Sequence, residues 1–419
     1  MQGKFMISNS QSDQELAPPI APLDNTTGAD AQEKSDFHTD QVVTIAGGHL
    51  VHDSFTAFLA PLLPLLQDKL GLGYASAGSL AIFSQLPSLL TPFIGYLADR
   101  ISLRYFVILA PAVTATLMGL MGLAPTYLSL SLLLLAVGVS VAAFHAPAPA
   151  MIARVSGKQV GMGMSIFMAS GELGRTVGPV IVVAAVTWWG LDGIWRLAAL
   201  GWITSGILYW RLHAIAARPT DQKHLPLQQM LPEARRVFPV LLWILVTKAF
   251  MAVAITTYLP IFMRDQLQVN LWLAAAALSI LEGAGVVGAL FSGTLSDRFG
   301  RANVLLLLFI TAPLSLALFL YGPAWTIIPA LIALGLTAIS VTPVLMAIVQ
   351  DQFPEHRAVA NGSFMFANFL SRAGALWVIG FIADGFGLVI AFACAGVLAL
   401  GSIPAVFWLP KRATVDKSL

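Results

Sequence analysis

Residues 49–58 read HLVHDSFTAF, and positions 49 to 53 alone hold His49, His52 and Asp53. On a helix these stand at i, i+3 and i+4, so they share one face. A carboxylate flanked by imidazoles is suited to reversible protonation. Asp53 is the expected carrier, with His49 and His52 as its neighbours. Further ionisable side chains interrupt apolar stretches at His145, Glu172, Arg175, Lys248, Glu282 and Arg372. Glu172 and Arg175, three residues apart, can pair with each other. Arg175, Lys248 and Arg372 supply cations suited to an anionic substrate such as a phosphonate or carboxylate, and His145 joins them as a substrate contact. Glu172 and Glu282 are the other proton-coupling candidates.

Each of these groups also has a structural reading. Asp53 would be one member of a satisfied pair. His145, two residues before Pro147, would bond a carbonyl freed in a loosened helix. Lys248 would snorkel to the surface. Glu282 would pair with Lys248, since SILEGAGVVGALFSG surrounds it with small residues that favour close packing on a neighbouring helix. A metal reading of HLVHD with His145 is not adopted. The histidines stand at i, i+3, not at the i, i+4 of a zinc helix, and no cysteine joins them.

The elements that carry these groups follow from composition. The chain has 419 residues, of which 57% are hydrophobic and 11% charged, and a mean hydropathy of +0.80. Soluble domains are about a quarter charged, so this is an all-α integral membrane protein embedded in a lipid bilayer. In apolar surroundings a charge costs roughly 2.5–3.5 kcal/mol at a helix centre, so the groups above must face a polar cavity or one another. A net charge of +2 gives no reason to expect nucleic acid, and the single cysteine, Cys394, excludes an internal disulfide. Residues 1–41 are polar, lack a helical stripe and read as a disordered cytoplasmic tail.

Twelve spans are expected, at about 42–66, 76–98, 104–124, 126–152, 159–187, 192–213, 238–264, 271–296, 302–321, 324–350, 358–384 and 388–409. The polar stretch 214–237 divides them into six-helix halves at 42–213 and 238–410, and 411–419 forms a short tail. With the N-terminus inside, the inner segments hold Arg100, Arg104, Arg154, Lys158, Arg211, Arg218, Lys223, Arg235, Arg236, Arg298, Arg301, Arg357, Lys411, Arg412 and Lys417. The outer ones hold only Lys69, Arg196 and Arg264. That bias places both termini in the cytoplasm.

The halves repeat. GYLADRISLR starts at Gly95 and GTLSDRFGRA at Gly293, which sets Asp99 on Asp297 and Arg100 on Arg298. Internal repeats in a multi-span chain mark secondary transporters, whose sites lie between the repeats. The aspartates, following the ends of their helices, are placed to accept from the N-terminal N–H groups of a neighbouring helix. Asp99, Arg100, Asp297, Arg298 and Arg301 thus form an expected conformational latch at the cytoplasmic seam.

These two segments resemble the G-x-L-x-D-R-x-G-R motif of the major facilitator superfamily. The second copy matches fully, and the first carries Ser102 in place of glycine. PLLP at 61–64 resembles the end of that superfamily's first helix. GRTVGP, with Gly174, Gly178 and Pro179, resembles its helix 5 motif in drug/proton antiporters. HLVHD, FHAP and SIFMASGELGRTVGP together resemble the fosmidomycin resistance protein family. The resemblance implies a bacterial inner-membrane pump, working as a monomer without a cofactor, that exchanges protons for small drug-like or anionic compounds. An importer of an organic anion or a transition metal is the alternative within the same fold. A membrane-embedded metalloenzyme is the alternative outside it, and no G-x-S-x-G or H-E-x-x-H supports an enzyme.

Overall fold

The computed structural model describes residues 37–90, 93–94, 103–157, 159–213, 231–353 and 357–410. They form helices α1 (Thr39–Leu70), α2 (Tyr74–Gln85, continued by a 3₁₀ turn at Leu86–Leu90), α3 (Arg104–Leu123) and α4 (Tyr127–Val155). Then come α5 (Val160–Trp189) and α6 (Ala198–Leu212, led by a 3₁₀ stretch at Leu191–Leu197). After the interruption follow α7 (Leu231–Asp265), α8 (Leu271–Phe299), α9 (Arg301–Tyr321), α10 (Ala324–Gln352), α11 (Arg357–Phe386) and α12 (Leu388–Val406). Ten of these are long and apolar enough to cross a membrane. The described parts of α2 and α6, 12 and 15 residues long, fall short of that length.

Two boundaries differ from expectation. α1 starts at Thr39, inside the stretch read as tail, where Asp40 sits in the first turn and favours the N-terminal end of the helix. α7 starts at Leu231, inside the stretch read as a loop, with Pro232 and Glu233 opening it as good helix-starting residues. Residues 1–36, 214–230 and 411–419, and the expected latch residues Asp99 and Arg100, lie outside the described residues.

The helix ends fall on two faces. The starts of α1 and α7 and the end of α8 lie on one. The short turns at 71–73, 266–270 and 387 lie on the other, which also carries Lys69, Arg196 and Arg264. Large apolar side chains cover the outside, among them Trp202, Trp210, Phe291, Trp325 and Trp408, as a lipid-facing surface requires. Inside, one apolar core runs from Phe58 and Leu62 through Tyr258 to Leu376 and Phe392.

Four helices are irregular where the ionisable groups cluster. α1 breaks at Ala57–Phe58 and α4 at Ala146–Pro147, while α7 and α10 contain π-turns at Ala254–Tyr258 and Gly335–Ile339. Non-helical or widened backbone at membrane depth is tolerated where it lines a cavity or is buried in protein.

Candidate functional site

Glycines on α5 set the first part of the site. A Cβ at Gly174 would lie 2.4 Å from the Leu50 carbonyl oxygen, and one at Gly178 would lie 2.4 Å from that of Ser54. Only glycine allows α5 to approach α1 so closely, which gives this helix 5 motif a packing role here, with Pro179 buried beside it. One turn earlier, Gly171 faces the His49 ring.

His49 is held on three sides. It stacks on Phe167 at 4.0 Å between ring centroids, leans on Phe144 at 5.4 Å, and its Nδ1 lies 2.7 Å from the Phe167 carbonyl oxygen. A carbonyl only accepts, so Nδ1 carries the proton and Nε2 of the neutral ring is a bare lone pair. That Nε2 points at Asp53 Oδ2, 3.4 Å away. His145 repeats the arrangement. Its Nδ1 bonds the Val141 carbonyl oxygen at 3.1 Å, and its Nε2 lies 3.6 Å from Asp53 Oδ1. The carbonyl bonded is that of Val141, one turn back in the helix, and not the one at residue 143 that Pro147 frees; the bond aims the other nitrogen at the carboxylate.

With both imidazoles neutral, three acceptors converge. His49 and Asp53 are 3% and 5% exposed, and both His49 Nε2 and Asp53 Oδ1 lack a hydrogen-bond partner. The ligand atoms of His49, Asp53 and His145 lie within 4.8 Å of one another, close enough to share one small cation. A buried carboxylate facing two lone pairs is unfavourable until a proton or another positive charge stands between them.

His52, expected as a neighbour of Asp53, is not one of the three converging ligand atoms, though its ring lies 5.6 Å from that of His145. It is fully buried and stacks on Phe144 at 4.4 Å. The i, i+4 spacing brings His49 onto Asp53, whereas the adjacent position of His52 turns its ring about 100° around the helix. The carboxylate's second imidazole comes from α4 instead.

The other charges lie on α5, α7, α8 and α11. Glu172 and Arg175 are paired, as their spacing predicts. Arg175 also feels Glu282 on α8, and Glu282 in turn feels Arg372 on α11. Arg372 donates to Thr256 Oγ1 in the π-turn of α7 at 3.3 Å. Lys248 donates to Thr342 Oγ1 on α10 at 2.9 Å and is 9% exposed, so it does not snorkel. The charge Lys248 feels is that of Arg372, another cation. The expected alternative of a Glu282–Lys248 pair is not present among the described residues, and the charges acting on Glu282 are those of Arg175, Glu172 and Arg372. Its small neighbours do pack closely, with Gly285 on Ile339 and Gly288 on Leu336 and Ser340 of α10.

The described part of the expected latch is also different. Asp297 lies within α8 and pairs with Arg301 at 2.9 Å, and Arg301 reaches Asp351 of α10 at 3.3 Å. Arg298 is exposed. These bonds tie α8, α9 and α10 together and do not cross to the first six helices. With Arg301 only four residues on, the nearest partner of Asp297 is local.

Comparison with known proteins agrees with this architecture. The family model described as Major Facilitator Superfamily matches residues 45–376 and 284–418. The fosmidomycin resistance protein of Escherichia coli (strain K12) is 25% identical over 372 residues, covering 87% of this chain and 91% of the relative. An uncharacterized MFS-type transporter of Bacillus subtilis (strain 168), YfnC, is 23% identical over 352 residues, covering 81% and 85%. Among solved structures, the nucleoside transporter NupG superposes with a TM-score of 0.72 at 15% identity, over 88% of this chain and 98% of that one. A D-xylose–proton symporter gives 0.69 at 17%, over 88% and 98%.

Proposed function

The chain belongs to the major facilitator superfamily of secondary transporters, and we propose that it exports small anionic compounds in exchange for protons. In this reading it is a twelve-span inner-membrane protein with both termini cytoplasmic, and its two six-helix halves rock about the charged cavity. It acts as a monomer.

The observation that carries the reading is the division of labour between the two groups. His49, Asp53 and His145 converge as three acceptors that need one positive charge, which a proton supplies. Lys248, buried, and Arg372, half-buried, are cations bonded to threonine hydroxyls, with Glu282 acting on only the arginine of the two, and an oxyanion supplies the missing negative charge. Arg175 is largely committed to Glu172 and orients the cavity. The name of the Escherichia coli relative supports efflux as the direction and fosmidomycin as the first compound to test.

The test is transport in proteoliposomes, with internal pH and fosmidomycin both followed and a pH gradient imposed or absent. Efflux coupled to proton entry in the opposite direction supports the proposal. Proton and compound moving in the same direction would make the protein an importer. Zinc movement in place of protons would make the His49 group a metal site.

A further inference from the structure

On the face opposite the start of α1, the chain is laced across its middle. Asp384, at the end of α11, accepts from two backbone N–H groups at the start of α2: Tyr74 N at 2.6 Å and Ala75 N at 3.0 Å. A carboxylate on a helix N-terminus satisfies orphan donors and meets the positive end of the helix dipole. Here helix and carboxylate are 310 residues apart in sequence. Beside them, Tyr74 donates its phenol to Asp265 Oδ2 at 3.0 Å. Arg264 at the end of α7 donates to the Pro64 carbonyl oxygen at 2.5 Å and to Asp68 Oδ2 at 3.0 Å, both on α1, while its Nε holds Asp265 at 2.6 Å.

The backbone is shaped for these contacts. A Cβ at Gly73 would lie 3.0 Å from Asp384 Oδ1, and one at Gly380 would lie 2.5 Å from the Ala75 Cα. Gly78 leaves room for the buried Tyr258 hydroxyl, which donates to the Leu376 carbonyl oxygen at 2.8 Å. Among the described residues, every hydrogen bond between residues 37–213 and residues 231–410 lies at this end.

We infer that Asp384 and Arg264 form a lock that holds this face closed, with the α2 N-terminus as its keyhole. Opening the face requires Asp384 to leave two N–H groups and Arg264 to leave α1, so these two residues set how often the cavity opens on that side. The inference rests on the transporter reading only in requiring that access alternates, and it is independent of which solute or ion moves.

Accessibility tests it directly. Cys394→Ser removes the one native cysteine, and Ala77→Cys places a thiol on α2 at a position with 0% exposure, just inside the lock. The full chain in nanodiscs is then reacted with a polar maleimide. Asp384→Asn and Arg264→Gln should each speed labelling by about ten-fold or more, as expected for losing charge-assisted bonds. Asp192→Asn, which breaks only the exposed Lys69–Asp192 pair within the first six helices on the same face, should label at the parent rate. Parent-rate labelling of both lock variants overturns the inference. So does equal acceleration by Asp192→Asn. Absence of fosmidomycin transport would count against the proposed substrate alone, because labelling needs neither substrate nor gradient.

Discussion

Gly171→Ala tests how firmly the carboxylate's partner is held. A Cβ at Gly171 would fall 2.3 Å from Cε1, 2.4 Å from Nε2 and 2.9 Å from Nδ1 of the His49 ring. Ordinary contact lies near 3.5 Å, so the overlap is about 1 Å. The ring has little room to retreat, with Phe167 stacked against it and its Nδ1 bonded to the Phe167 carbonyl. The α5 backbone has little either, because Gly174 already sits against the Leu50 carbonyl. Overpacking of this kind costs about 1–3 kcal/mol. Against it stands a gain of about 1 kcal/mol from replacing a helical glycine with alanine. In the wild-type background the balance is about 1 kcal/mol of destabilisation.

Removing the ring should change the sign. In a His49→Ala background the overlap disappears and only the helix gain of about 1 kcal/mol remains. The two backgrounds therefore differ by about 2 kcal/mol, a coupling well above the error of a double-mutant cycle. The assay is reversible unfolding by denaturing detergent in mixed micelles, with Gly47→Ala as control because nothing lies within 4 Å of a Cβ there. In proteoliposomes the same substitution should weaken proton coupling more than fosmidomycin binding, since Lys248 and Arg372 are untouched. An equal cost of Gly171→Ala with and without the imidazole would refute the placement of His49, and with it the convergence on Asp53.

Three other outcomes are expected. Asp53→Asn keeps a group that can donate to one histidine Nε2, so it should fold, lose gradient-driven efflux and retain downhill exchange; proton flux equal to wild type would move the carrier to Glu172 or Glu282. Lys248→Gln and Arg372→Gln should each weaken fosmidomycin binding by about 10- to 100-fold, the scale of one charge-assisted bond, with Arg175→Gln weaker in effect because Glu172 already holds that arginine; calorimetric titration reads all three. Arg301→Gln breaks bonds to Asp297, Asp351 and Ser296; Asp297 is 60% exposed and adds little, but Arg301 and Asp351 are only 20% and 22% exposed, so the cost should be about 1–3 kcal/mol with turnover unchanged once stability is matched; slowed transport at equal stability would restore a latch role.

What could be read from sequence was what is local. The i, i+4 placement of His49 on Asp53, the Glu172–Arg175 pair and the alternation of apolar helices each depend on one segment, and each is present. What could not be read is how one helix is turned against another. His145 stands 92 positions after Asp53, and its ring reaches the carboxylate only because α4 is broken at Ala146–Pro147 and its Nδ1 is tied to the Val141 carbonyl. The lock makes the contrast sharper. A carboxylate on a neighbouring helix's N-terminus was expected at Asp99 and Asp297, where a motif marks the position. The one described lies at Asp384, in ADGFG, where no motif marks it. Asp297 has Arg301 one turn away and needs no distant partner. Asp384 has no cation on its own helix turn, and the bare N–H groups of α2 are its best partner. Two contacts between helices did leave a trace in the sequence, a glycine whose Cβ would crowd the polar group: Gly171 of α5 at His49 of α1, and Gly73, just before α2, at Asp384 of α11. A glycine facing a polar side chain of another helix is therefore the sign to look for, because it records a backbone that has come close enough to hold that group.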